Sequence, residues 1–134
     1  MQGIVYKSTG SWYKVRSAQG VFYACRVKGR LRIAGIKSTN PVAVGDKVSF
    51  ILEHTGDETI GVIKEVHPRK NYIVRKSVNL SKQTHILAAN IDLAFLVVTL
   101  AQPVTPLAFV DRFLATAEAY DIPVVILFNK TDCY

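Results

Sequence analysis

Near the carboxyl end, Asn129-Lys130-Thr131-Asp132 places an amide, an ammonium on a long stem and a carboxylate within four residues. Such a set can read a purine. A carboxylate accepts two hydrogens at once, and guanine carries two on its N1 and N2 edge. Adenine lacks that pair, so a desolvated Asp132 discriminates against it. Asn129 can donate to the other edge of the base or brace a neighbouring loop. The methylenes of Lys130 can lie over the base plane, because lysine stems cover apolar surface. The bare pattern also arises by chance as a polar turn, so its context decides between the two.

The phosphate cradle that should accompany a guanine reader is not upstream. It would be a glycine-rich loop of the form Gly-x-x-x-x-Gly-Lys-Ser/Thr. Gly56 and Gly61 have the first spacing, but Val62-Ile63 follow where the lysine and hydroxyl belong, in a segment that reads as a hairpin. No catalytic residue is therefore expected in this chain. Either the tetrapeptide is accidental or the motif order is rotated and the cradle lies beyond Tyr134. His54, His67 and His85 are scattered, with no Cys/His spacing that would ligate a metal, so no metal site is expected.

A different chemistry gathers in the first half. Arg26, Lys28, Arg30 and Arg32 surround an expected turn at Lys28-Gly29, and Lys37 lies just beyond. Trp12, Tyr13, Phe22 and Tyr23 flank them. Cations that track phosphates, beside aromatic faces for unpaired bases, suit single-stranded RNA. A small barrel must also use some of those aromatics as core. A second basic stretch holds Arg69, Lys70, Arg75 and Lys76, interleaved with apolar Tyr72-Ile73-Val74. It reads as a connector that packs on one domain and shows its charges to a partner.

The elements that must hold these groups fall into two classes. Residues 1–90 carry 15 Lys and Arg against 5 Asp and Glu, whereas residues 91–134 carry 2 against 5. Such asymmetry points to a basic, polyanion-binding module joined to something different. Residues 3–67 show short β-rich runs broken by Gly and polar turns. Val48, Phe50 and Leu52 alternate with Ser49, Ile51 and Glu53; Val21, Tyr23, Cys25 and Val27 alternate with Phe22, Ala24 and Arg26. Regular short strands predict an all-β barrel, of the OB-fold class or its SH3-like rival. After residue 90 the pattern changes. Leu93–Val98 and Ile122–Phe128 are continuous apolar runs, as in parallel strands buried on both faces. Between them Thr105 can cap a helix with Pro106 in its first turn, and Val110, Phe113, Leu114 and Ala117 recur at helical spacing. This is a βαβ unit, and ligands bind beyond the carboxyl ends of its strands, where Asn129–Asp132 stand.

The expected domains are an OB-fold RNA-binding domain at 1–68, a basic connector at 69–90 and an incomplete α/β unit at 91–134. Two strands and one helix cannot cover a parallel sheet on both faces, so residues 91–134 should leave apolar surface exposed and associate or rely on a neighbour. With 49% hydrophobic residues among 134, the chain has material for a packed core. No apolar run approaches the roughly 18 residues of a membrane span, and Met1–Lys7 shows no charged region followed by an apolar one, so a secretory signal peptide is not expected. Two cysteines, Cys25 and Cys133, make no disulfide framework, which suggests a cytoplasmic, reduced protein.

Several segments resemble one family in order and spacing. They are Cys25–Arg32, Val44–Val48, Pro68–Asn71, Ile73–Arg75, Ala88–Asp92, Asp111–Leu114 and Asn129–Asp132. The sequence resembles the RsgA/YjeQ family of circularly permuted GTPases that depend on the small ribosomal subunit, over essentially its whole length. The resemblance implies an N-terminal part: an OB barrel contacting ribosomal RNA, then a circularly permuted, P-loop GTPase-like domain cut short after its guanine motif. It implies that Asn129, Lys130, Thr131 and Asp132 bind GTP or GDP. The parent would hydrolyse GTP with magnesium when bound to the small (30S) subunit, assist late maturation, and be monomeric. A structural zinc belongs to a later region for which this chain has no ligands. Against this stands a stand-alone OB-fold RNA-binding protein without hydrolysis. A phosphate loop further along the reading frame separates the two.

Overall fold

Along Trp12–Ser17, Tyr13, Val15 and Ser17 are buried while Trp12, Lys14 and Arg16 are exposed. Period-two alternation of this kind makes a strand with one face on a core. The computed structural model describes residues 1–32, 41–76 and 84–133. The chain divides into two units, Met1–Asn90 and Ile91–Tyr134.

In the first unit five strands close on themselves. They are β1 (Gln2–Thr9), β2 (Trp12–Ser17), β3 (Phe22–Arg32), β4 (Lys47–Thr55) and β5 (Glu58–Val66). Their order is β1-β2-β3-β5-β4, with β1 returning to β4. All neighbours are antiparallel except β3 and β5, which run parallel. Inward residues of all five strands meet in one core, including Val5, Val15, Cys25, Val48, Phe50 and Ile63. Burying side chains of this size contributes roughly 1.5–3 kcal/mol each for Val, Ile and Phe.

One expectation fails in the barrel. No turn forms at Lys28-Gly29; β3 runs through it as one strand of 11 residues. Against β5, Cys25, Arg26 and Val27 pair with Gly61, Val62 and Ile63, then the register jumps to Arg32 opposite Glu65. The surplus residues are taken up as an irregularity in the ladder, where glycine serves a strand although it reads like a turn in sequence.

The stretch from 69 to 90 carries two strands, β6 (Tyr72–Lys76) paired antiparallel with β7 (Thr84–Ala89). It is tied to the barrel at Gly45. The Ala89 amide donates to the Val44 carbonyl at 2.8 Å, and Asn90 Nδ2 donates to the Gly45 carbonyl at 2.9 Å. Gly45 has φ of 91°, and a Cβ there would stand 2.0 Å from the Ala89 carbonyl oxygen. Only glycine permits that approach.

The second unit contains β8 (Ala94–Val98), helix α1 (Leu107–Ala119) and β9 (Val124–Phe128), with β8 and β9 parallel. The strands are not buried on both faces. Ala94, Leu96 and Val98 are buried, whereas Phe95 and Val97 are more than half exposed at 58% and 54%. Among the described residues of this unit α1 is the one α-helix available as cover, and it supplies Ala117 to the buried side. Val125 and Leu127, in register with Phe95 and Val97, are exposed with them. Thr105 does not cap α1. Pro106 occupies the cap position without a side-chain bond, and Thr105 Oγ1 instead accepts the Thr99 amide at 2.9 Å.

Candidate functional site

At the carboxyl ends of β8 and β9 two loops are joined. The Asn129 amide donates to the Val98 carbonyl at 2.9 Å, extending the ladder one step past β9. The loop after β8 is closed on itself: the Thr105 amide donates to the Thr99 carbonyl at 2.9 Å, and the Thr99 hydroxyl donates to the Pro103 carbonyl. It therefore presents the Gln102 carbonyl, which accepts from Lys130 Nζ at 2.7 Å. Lys130 has φ of 56°, a left-handed conformation that costs a non-glycine residue roughly 1 kcal/mol or more. That conformation turns the chain out of the strand and into the short 3₁₀ turn Thr131–Cys133, closed by the Cys133 amide on the Lys130 carbonyl at 2.9 Å. Asn129, Lys130, Thr131 and Asp132 are all exposed. The sequence placed them together, and the parallel pair holds them at its carboxyl edge, where backbone groups and loops converge on ligands.

Among the described residues, no three His, Cys, Asp or Glu side chains gather as metal ligands. Both cysteines are free; burial pushes the Cys25 thiol up to about 11, while Cys133 is exposed.

The barrel carries a second arrangement, on the outer face of β2 and β3. Residues of one face alternate aromatic, small and cationic. Arg26 stands over the Trp12 ring at 5.1 Å, and Lys14 over the Phe22 ring at 4.7 Å. Ala24 lies opposite Lys14 in the ladder, and its small side chain leaves a hollow between Trp12 and Phe22. The resulting cleft has a volume of about 320 Å³. Trp12 and Phe22 are exposed by 42% and 45%. The other two aromatics singled out in the sequence serve the barrel interior: Tyr13 is buried, and Tyr23 packs on Phe50 at 5.7 Å between ring centres.

The basic residues expected at an RNA surface separate on inspection. Arg26 is exposed and on this face. Lys28 is exposed but bonded to Glu53 at 2.7 Å, a hydrogen bond that holds the Glu53 carboxyl below its ordinary value. Arg30 and Arg32 lie on the last part of β3, and Arg75 and Lys76 end β6. Lys70 is exposed beside the β6–β7 pair. Lys37 lies outside the described residues. Arg69 is a correction. Its side chain is 7% exposed, and the guanidinium donates from Nε and Nη2 to the two Asp46 carboxylate oxygens, each at 2.6 Å. It also donates to the Pro41 carbonyl at 3.2 Å, so it is a structural cation and offers no face to RNA. Sequence reading passed over Tyr6, Lys14 and Arg16. Trp12-x-Lys14-x-Arg16 was the available signal, since alternate residues of one strand share a face.

Comparison with known proteins gives two family matches: the RsgA N-terminal domain over residues 2–63 and the RsgA GTPase over residues 66–134. The small ribosomal subunit biogenesis GTPase RsgA of Christiangramia forsetii is 66% identical over 134 residues, all of this chain and 42% of that protein. The protein of the same name from Flavobacterium johnsoniae is 61% identical over 132 residues, 98% of this chain and 41% of that one. Among solved structures, YjeQ from Thermotoga maritima matches with a TM-score of 0.67 at 31% identity, and YloQ, a circularly permuted GTPase, with 0.65 at 28%. Each structural match covers 99% of this chain and 42% of the other. The chain thus spans about two fifths of the length of these relatives.

Proposed function

The chain belongs to the RsgA family, and on that premise we propose that it supplies the ribosome-facing barrel and the guanine-reading corner of a GTPase acting in small-subunit maturation. The observation that carries this reading is the position of Asn129–Asp132. The tetrapeptide follows β9 directly, beside the loop of its parallel partner, in the segment that matches the GTPase family.

In this role Asp132 accepts the N1 and N2 hydrogens of guanine from the edge of its 3₁₀ turn. Lys130, whose ammonium is anchored to the Gln102 carbonyl, lays its methylenes along the base. Asn129 braces the junction of the two strands through its backbone. Magnesium and the phosphate-binding groups would neutralise and hold the triphosphate, and they would come from residues outside this set. The present residues select the base and fix its position; hydrolysis of GTP on the small subunit belongs to the whole protein.

The barrel is of the OB type, supported by the order β1-β2-β3-β5-β4 and the parallel β3–β5 contact. Its partner is ribosomal RNA, as the alternating aromatic and cationic groups on β2 and β3 favour. Such work places the protein in the cytoplasm; among the described residues no helix is long and apolar enough to cross a membrane.

The direct test replaces Asp132 with Asn in the full-length protein. An amide presents a donor where guanine also has one, so GTP should bind at least about 10-fold more weakly. Xanthosine triphosphate, which carries an acceptor there, should gain. Unchanged GTP affinity would remove Asp132 from the base.

A further inference from the structure

The barrel's outer surface holds a second cleft, of about 350 Å³, on the opposite side of Phe22 from the hollow at Ala24. The strand register places Arg16, Ile4 and Lys47 in its lining, with Phe22 next to Arg16 just outside it. Phe22 on β3 is opposite Arg16 on β2; Arg16 is opposite Ile4 on β1; Ile4 is opposite Lys47 on β4. These four form one outward row across four strands, three strand spacings or roughly 14 Å long. The row begins with an aromatic ring and continues with a cation, an exposed aliphatic side chain and a second cation. His67 adds a third basic group at the far end. Its backbone amide donates to the Lys47 carbonyl at 2.8 Å, and its ring shares a 2.7 Å hydrogen bond with Ser49, which fixes where it stands. Tyr6 closes the near end, edge-on to Phe22 at 5.4 Å, with its hydroxyl accepting from Arg16 at 3.3 Å. Among the described residues no carboxylate lines the cleft.

We propose that this row is a track for single-stranded RNA, with a base on the Phe22–Tyr6 edge and a backbone phosphate seated in the cleft among Arg16, Lys47 and His67. The inference adds a site on β1 and β4 and shares with the proposed function only the premise that the barrel's partner is RNA. The geometry favours an unpaired strand. Phe22 and Tyr6 are half exposed, so a base can reach their ring faces, which a paired base in a duplex cannot. The Lys14 ammonium already over Phe22 shows that the ring face attracts positive charge; when a base replaces it, Lys14 is free to turn to a phosphate. Ile4 at 42% exposure offers the apolar floor on which a ribose can rest.

The test measures binding of a fluorescent, unstructured hexauridylate to the 134-residue chain across a salt series. Phe22→Leu keeps the apolar volume and removes the ring; it should weaken binding about 5- to 150-fold, the range of one lost base stack. Lys47→Gln should weaken it and make the salt slope shallower by about 0.7, one phosphate contact on a single strand. Arg112→Gln, which removes an exposed positive charge on helix α1 of the other unit, should leave binding within about 2-fold. Circular dichroism confirms that each variant is folded. Unchanged affinity in both Phe22→Leu and Lys47→Gln would overturn the proposal, as would no binding by the unaltered chain. Polyglutamate binding as tightly as the oligonucleotide, and responding to Lys47→Gln alone, would mark a plain anion site and overturn it too. Small-subunit binding by the full-length protein is scored separately. If that fails while hexauridylate binding still depends on Phe22 and Lys47, the track stands and the ribosomal partner falls.

Discussion

Arg69 and Asp46 meet in a buried two-point ion pair, with both N···O distances at 2.6 Å and the carboxylate fully enclosed. The second Asp46 oxygen also accepts the Ala43 amide at 2.8 Å. One arginine at the end of the barrel thereby fixes the loop before β4. Breaking such a pair from one side leaves a buried charge alone. Arg69→Met should cost about 3–5 kcal/mol in urea unfolding, while Arg69→Met with Asp46→Leu should recover part of it. A loss under 1 kcal/mol for the single change would show that the pair is not needed for the fold.

Gly45 governs the attachment of the β6–β7 pair. With φ of 91° and the Ala89 carbonyl in the place of its Cβ, it accepts no side chain without displacing backbone. Gly45→Ala should cost about 3 kcal/mol or more and release amide-exchange protection at Ala89 and Asn90 before it does so in β4. Equal protection in the strand pair and the barrel would mean that the two unfold as one piece.

The two thiols should separate cleanly. Cys133 is exposed and Cys25 is buried, so a thiol reagent should modify one residue fast and the other only on unfolding. Burial raises the folded pKa of Cys25 from 9.0 to about 11. Its contribution to stability is therefore complete below pH 9 and is lost as pH rises through 11. Tyr13 is raised by burial as well and acts in the same direction. Chemical denaturation between pH 8 and 11 should show this decline, and Cys25→Ala should flatten it while lowering stability throughout. A slope that survives in the variant would have to come from another group.

Reversing Arg30 and Arg32 to Glu should weaken small-subunit binding and flatten its dependence on salt, because fewer counterions are released. Two lost phosphate contacts on an unpaired strand make the log–log slope shallower by about 1.4. An unchanged slope would take both residues out of the interface.

Local pattern made the strands and the helix readable, and long-range pairing decided what was not. The alternation of Val48, Phe50 and Leu52 predicts β4, and the run Ile122–Phe128 places Asn129–Asp132 at the end of β9. Glycine at position 29 marks a bulge as well as it marks a turn, and only the β5 register separates the two. Arg69 reads as one more surface cation because its partner lies 23 residues away. Thr105 reads as a cap until Thr99 is seen to use its hydroxyl. Lys14 and Arg16 share a face of β2 by their spacing, and they join Phe22 only when β2 and β3 are laid side by side.

The barrel keeps every strand border occupied, whereas among the described residues the parallel pair β8–β9 has no further strand on either border, and Phe95, Val97, Val125 and Leu127 are exposed. Open borders beside greasy surface recruit further strands. On storage or warming, the carboxyl-terminal unit should therefore be the seed of clumping, and the barrel should be the piece that survives limited digestion.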